Sequence, residues 1–134
     1  MIVGTGTDLT EIERVQQAVD RFGDRFLHRV FTDREIAYCQ RKRHNAAESL
    51  AARFAAKEAG AKALGTGIAK GVSWRELEVT HLPGGRPTLL LHGRAAERAQ
   101  AMGVTAIHLS LSHSRDLAVA TVILESGHGV ATIA

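Results

Sequence analysis

The chain has 134 residues, 45% of them hydrophobic and 23% charged, the values of one ordinary globular domain with a real core. A net charge of +3 suits a phosphate ligand, nucleic acid, anionic lipid or an acidic protein, but 4% aromatic residues argues against a stacking platform for single-stranded nucleic acid. No apolar run approaches the ~20 residues of a membrane span. The lone Cys39 excludes an intrachain disulfide, and Met1-Ile2-Val3 leads into glycines rather than a signal peptide, so a cytoplasmic protein off the membrane is expected.

Met1 to Thr7 reads as a strand, with Ile2, Gly4, Gly6 and Asp8 on one side and Val3, Thr5, Thr7 and Leu9 on the other. Glycine is a poor strand former and marks close approach of another backbone or a ligand. Asp8 stands on the glycine side at the strand's end, where a turn or cap is as good a reading as a functional one. Thr10-Glu11-Ile12-Glu13 matches a capping box, starting a helix at Glu11 that buries Ile12, Val15, Val19 and Phe22. Gly23 ends it, and Asp24 caps a short continuation to Val30. A second box, Thr32-Asp33-Arg34-Glu35, opens a helix carrying Ile36 and Cys39. Thr10, Glu13, Thr32 and Glu35 are therefore structural by this reading.

Arg14 and Arg21 lie off the apolar face of the first helix, and Arg25 and Arg29 continue the series one turn apart. A solvated surface is the ordinary reading of four arginines, yet the acids cluster at the helix starts and the pattern suits an acidic partner helix. The basic loop Arg41-Lys42-Arg43-His44-Asn45 is too short to name a nucleic-acid site.

A long helix runs from about Ala46 to Leu64, rich in alanine and straight side chains, and Gly65-Thr66-Gly67 punctuates its end. At ~100° per residue, Leu50, Phe54, Ala61 and Leu64 make a narrow apolar stripe. Lys57 falls inside that stripe, so it must be paired, snorkel or point into a polar cavity. Glu58 and Lys62 lie to one side, four residues apart, and spacing alone favours a surface ion pair worth ~0.2–0.5 kcal/mol.

Beyond Gly71 the chain turns to strands: Leu77–Leu82 and Pro87–His92 around the turn Pro83-Gly84-Gly85, then a short helix from Arg94 to Met102. Val104–His113 alternates, with Ile107, Leu109 and Leu111 facing one way. Leu117–Leu124 is nearly all apolar, hence central or at an interface.

Asp8 and Glu58 are two carboxylates from distant positions, and two carboxylates with waters and phosphate oxygens are a usual way to hold Mg²⁺. Lys57, Lys62, Arg53 and His113 are at hand to neutralise phosphates. Other chemistries fare worse. One cysteine gives no zinc pattern, and Ser112 and His113 are adjacent on a strand and point to opposite faces. Neither Gly4-Thr5-Gly6 nor Gly65-Thr66-Gly67 completes a dinucleotide or P-loop fingerprint. A non-catalytic basic nucleic-acid-binding module is the alternative from another class, weakened by missing aromatics.

Three segments add what spacing does not. Gly4-Thr5-Gly6-Thr7-Asp8-Leu9 with Glu11-Ile12-Glu13-Arg14, then Arg53-Phe54-Ala55-Ala56-Lys57-Glu58-Ala59 with Lys62 to Ile68, then Leu109-Ser110-Leu111-Ser112-His113-Ser114 with Ala118-Val119-Ala120 closely resemble the short bacterial holo-acyl carrier protein synthases. These are 4'-phosphopantetheinyl transferases. The resemblance covers residues 1–126 as a single domain and leaves 127–134 as a tail. It implies an α+β fold, mainly antiparallel sheet packed against a long helix. It also implies Mg²⁺-dependent transfer of the 4'-phosphopantetheine of coenzyme A to a serine of apo-acyl carrier protein, a step of fatty acid biosynthesis. By position, Asp8 and Glu58 match the metal ligands, and Lys62, Gly65, Thr66 and Gly67 match pyrophosphate or nucleotide contacts. Ser112 and His113, with Arg53, match the surroundings of the nucleotide and its 3'-phosphate. Glu58, Lys62 and Lys57 are the catalytic candidates, the proton acceptor being Glu58 or a metal-bound water. Arg14, Arg21, Arg25 and Arg29 would dock the acidic carrier. A homotrimer with active sites between subunits is implied as well.

Overall fold

The computed structural model describes residues 1–127. Strand β1 (Ile2–Glu11) is followed by three helices, α1 (Ile12–Phe22), α2 (Asp24–Val30) and α3 (Asp33–Gln40). A 3-10 turn at Arg43–Asn45 enters α4 (Ala46–Ala63), and another at Trp74–Glu76 enters the hairpin β2 (Leu77–His81) and β3 (Pro87–Leu91). Then come α5 (Gly93–Ala101), β4 (Val104–His113) and β5 (Leu117–Ser126). β5 lies between β1 and β4 in an antiparallel sheet, so the most apolar strand is the central one. The expected α+β architecture, with antiparallel strands against a long helix, is the one adopted. Among the described residues no helix is long and apolar enough to cross a membrane.

Everything packs around α4. The inner face of the sheet covers one side of it, the β2–β3 hairpin another, and α1 and α3 close over its first half. Ala51, Ala55, Ala56, Ala59 and Ala61 are completely buried. Small side chains let strands and helices approach from several directions at once, so α4 is enclosed nearly all round rather than amphipathic.

The glycines of β1 and α4 set the spacing. A Cβ on Gly4 would collide with the carbonyl oxygen of Ala63, and one on Gly6 with that of Ala59. Gly60 does the same for the hairpin, where a Cβ would lie 2.8 Å from Leu77 Cδ2 and 2.9 Å from Leu89 Cδ1. Close backbone approach, rather than a ligand, therefore accounts for Gly4 and Gly6. Gly6→Ala is expected to lose about 1–3 kcal/mol of stability, because α4 must move outward to admit one methyl group. A urea midpoint unchanged from the parent would contradict this packing.

Some local expectations are revised. β1 extends to Glu11 because Thr10 and Glu11 pair with Ala118 and Leu117 of β5. Thr10 consequently caps nothing, and α1 starts without a side-chain cap. Phe22 is 49% exposed, since α1 ends at Gly23 (φ 56°) and its last turn overhangs the core. The Thr32–Glu35 capping box is present as expected. Of the tail, residues 128–134 lie outside the described residues.

Candidate active site

β1 and α4 bring Asp8 and Glu58 to a common cleft. Phe54, Glu58 and Lys62 follow at four-residue intervals along one flank of α4, and β1 delivers Asp8 from the sheet edge opposite. The cleft has a volume of about 350 Å³, and Leu9, Thr10, Arg14, Phe26 and Phe54 line it together with the two carboxylates. Thr10 Oγ1 donates to Asp8 Oδ2 at 2.8 Å. Lys62 Nζ donates to Asp8 Oδ1 at 3.2 Å and to the carbonyl of Thr7 at 3.0 Å. Glu58 Oε1 accepts from Trp74 Nε1 at 3.4 Å. The helical Glu58–Lys62 pair that spacing favoured is thus replaced by a bridge from α4 to β1.

The donor set suits a hard divalent cation. Among the described residues no group of three His, Cys, Asp or Glu side chains is placed to hold a metal. Two carboxylates alone match Mg²⁺, which keeps part of its water shell and takes phosphate oxygens. A cation already rests on Asp8, in the form of the Lys62 ammonium. That lysine side chain is 52% exposed against 17% for Asp8, so the lysine is the partner with room to leave.

Lys57 does not line that cleft. It is completely buried, donating to Glu35 Oε1 at 2.6 Å, to the Leu77 carbonyl at 2.9 Å and to the Trp74 carbonyl at 3.1 Å. Burial pushes its ammonium below the ordinary 10.5, with the Glu35 carboxylate pulling the other way. Glu35 in turn accepts from the backbone N–H groups of Val79 at 2.7 Å and Thr32 at 2.8 Å. All three ammonium donors are spent inside the protein, leaving none for a substrate. Because α4 is enclosed on nearly every side, a lysine in phase with its apolar stripe is driven into the core and must find a carboxylate there.

Arg53, Ser112 and His113 form a second group. Residues 53 and 58 are about 140° apart around a helix, and Arg53 opens onto a different cleft of about 300 Å³, shared with Tyr38, Ser49, His81, Ser112 and His113. The Arg53 guanidinium stacks 4.2 Å from the Tyr38 ring centroid and donates to Ser49 Oγ at 2.9 Å. Its Nε is buried without a partner among the described residues. Burial, reinforced by the charges of Arg53 and Lys42, pushes His81 below its ordinary 6.5. His113 Nδ1 stands 3.7 Å from Glu48 Oε2.

Gly65-Thr66-Gly67 closes the C-terminal end of α4, with Gly65 at φ 78° and Gly67 at φ 60°. The N–H of Gly65 donates to the Lys62 carbonyl at 2.9 Å, and those of Thr66 and Gly67 to the Ala61 carbonyl at 3.2 and 3.1 Å. The three N–H groups of the loop are therefore spent on the end of the helix and form no open cradle. Arg14, Arg21, Arg25 and Arg29 are all exposed on α1 and α2, with Arg14 at the rim of the carboxylate cleft.

Sequence reasoning missed the partners of the site residues. Thr10 looked like a cap and instead holds Asp8. Glu35 is a capping residue as expected, but its carboxylate also anchors Lys57. Trp74, the donor to Glu58, sits in an irregular turn where no periodicity singles it out. The unexplained in-phase Lys57 was the one signal that a buried acid had to exist.

The profile of the 4'-phosphopantetheinyl transferase superfamily matches residues 4–122, and the chain belongs to this superfamily. Over 125 residues it is 57% identical to the holo-[acyl-carrier-protein] synthase of Koribacter versatilis, covering 93% of this chain and 99% of that one. The crystal structure of the Neisseria meningitidis holo-[acyl-carrier-protein] synthase superposes with a TM-score of 0.84 at 34% identity, over 94% of this chain and 100% of that one. The Helicobacter pylori synthase, solved in complex with coenzyme A, gives 0.78 at 31% identity over 90% and 99%.

Proposed function

We propose that the chain is a cytoplasmic enzyme that transfers the 4'-phosphopantetheine arm of coenzyme A to a serine of apo-acyl carrier protein, serving fatty acid biosynthesis. Adenosine 3',5'-bisphosphate is the other product. The observation that carries this reading is the Asp8–Glu58 cleft, where two carboxylates on rigid elements meet the Lys62 ammonium. Asp8 and Glu58 would hold Mg²⁺, which when bound neutralises pyrophosphate charge and favours departure of the nucleotide. Glu58, or a water it orients, accepts the proton of the serine hydroxyl as that oxygen attacks the β-phosphorus in line. As the new P–O bond forms, the bond to the nucleotide phosphate breaks and its electron pair leaves with the bisphosphate. Lys62 moves from Asp8 to meet that developing charge.

The nucleotide half of the site is the Arg53, Ser112 and His113 cleft. In one chain it faces away from Asp8 and Glu58, so a complete site needs the second cleft of one copy beside the first cleft of another. A homotrimer meets that requirement. Supporting it, the sheet face turned away from α4 carries Leu9 at 63% exposure, with Val119, Ile123 and Ser112 along the same face. The arginines of α1 and α2 dock the acidic carrier. Because their series begins at a carboxylate cleft, a poor neighbour for a nucleic-acid backbone, the transferase reading is preferred to a non-catalytic binding module.

Incubating the protein with coenzyme A, Mg²⁺ and an apo-carrier protein is expected to raise the carrier's intact mass by one phosphopantetheine, and a chelator is expected to prevent it. An unchanged mass with Mg²⁺ present overturns the proposal. Arg14→Glu with Arg21→Glu is expected to raise the KM for carrier about tenfold or more, with the KM for coenzyme A within about twofold. Equal effects on both constants would remove the docking role.

A further inference from the structure

We propose that Trp74 is a positioning residue for Glu58, and that the buried Glu35–Lys57 pair holds Trp74 in place; this rests on the reading of Glu58 as a metal ligand. Trp74 is the chain's single tryptophan. Its indole Nε1 donates to Glu58 Oε1 at 3.4 Å, and its ring lies 6.1 Å from that of Phe54, tilted by 32°. The Arg29 guanidinium sits 5.9 Å from the same ring. Glu58 thus has one oxygen engaged by a neutral donor. A neutral N–H orients a carboxylate without neutralising it, leaving the charge for a cation. Asp8 also has a neutral donor, the Thr10 hydroxyl, but its other oxygen is engaged by the Lys62 ammonium.

The turn that carries Trp74 is fixed from several sides. Lys57 Nζ binds the carbonyls of Trp74 and Leu77 at 3.1 and 2.9 Å, bracketing the 3-10 turn from within. The Ser73 N–H donates to Glu76 Oε1 at 2.8 Å, and Arg75 Nη1 donates to the His28 carbonyl at 2.8 Å. Lys57 and Glu58 are consecutive in α4. One residue therefore grips the backbone of Trp74 while the next receives its indole. This gives Lys57 a part in the site without any contact to substrate. Metal ligands are commonly oriented by such outer partners, whose loss weakens metal binding.

The test uses Mg²⁺ titrations with coenzyme A present. Tryptophan emission of the parent protein is expected to change as Mg²⁺ is added, and Glu58→Gln is expected to lose that response. Trp74→Phe keeps the ring packing but removes the N–H. Its Mg²⁺ dissociation constant, read by calorimetry, is expected to rise about 10-fold. Raising Mg²⁺ should then recover most of the transfer rate. If Asp8→Asn and Glu58→Gln weaken Mg²⁺ binding while Trp74→Phe binds it like the parent, Trp74 does not position Glu58. If Asp8→Asn and Glu58→Gln also bind Mg²⁺ like the parent, the metal reading itself fails and this inference with it.

Discussion

Asp8→Ala and Glu58→Ala are each expected to slow phosphopantetheine transfer about 10³-fold or more at saturating Mg²⁺, with thermal unfolding close to that of the parent. Placing a divalent cation against the pyrophosphate is worth several kcal/mol in the transition state, and each 1.36 kcal/mol is a factor of ten in rate. The stability side follows from exposure. The Asp8–Lys62 pair is half open to water on the lysine side and contributes ~1 kcal/mol at most. Glu58 accepts one long hydrogen bond, from Trp74 at 3.4 Å. Steady-state rates and melting curves on the same preparations separate the two effects. A rate within tenfold of the parent in both variants would sink the metal assignment.

Lys57→Met is expected to do the reverse, unfolding the protein before it touches the chemistry. Removing the ammonium leaves Glu35 as a buried carboxylate with backbone donors but no counter-charge, a change that costs about 3–5 kcal/mol. That is a large part of the ~5–15 kcal/mol that holds a domain of this size. The double variant Glu35→Gln with Lys57→Met removes the orphaned charge and is expected to recover part of the loss. Urea denaturation of the single and double variants reads the difference directly. A catalytic lysine would give the opposite record, with normal stability, lost turnover and no rescue by Glu35→Gln. Lys57→Met melting like the parent would refute the structural role assigned here.

The elements were legible because each carries a local signal: the Thr32–Glu35 box, the alanine-rich stretch before Gly65, and the alternation from Val104 to His113. Strand β1 was longer than its own residues suggested, since pairing of Thr10 and Glu11 with β5 overrides a capping motif that looks complete in one dimension. Spacing showed the carboxylates at positions 8 and 58 only as two acids far apart in sequence, and the family resemblance was what paired them. What brings them together is a contact between Gly6 and Ala59; the strand glycines signalled a close approach, but nothing in either segment names the partner. Spacing paired Lys62 with Glu58 because helical neighbours are all that spacing sees. The strand that passes alongside offers Asp8 instead. For Lys57 the periodicity was right about its place in the stripe, and the surroundings decided what lay there: a carboxylate from α3 rather than a phosphate.

The meeting of Gly4 and Gly6 with the carbonyls of Ala63 and Ala59 has a consequence for how this protein tolerates change. Side-chain contacts can be retuned, because a rotamer shifts or a methyl group rearranges when a neighbour is altered. A seam of main chain against main chain has no such slack. It behaves as a ruler laid between the strand that bears one acid and the helix that bears the other. Substitutions in the outer layers can therefore accumulate as the hairpin and the short helices repack, while the gap spanned by the two acids keeps its length.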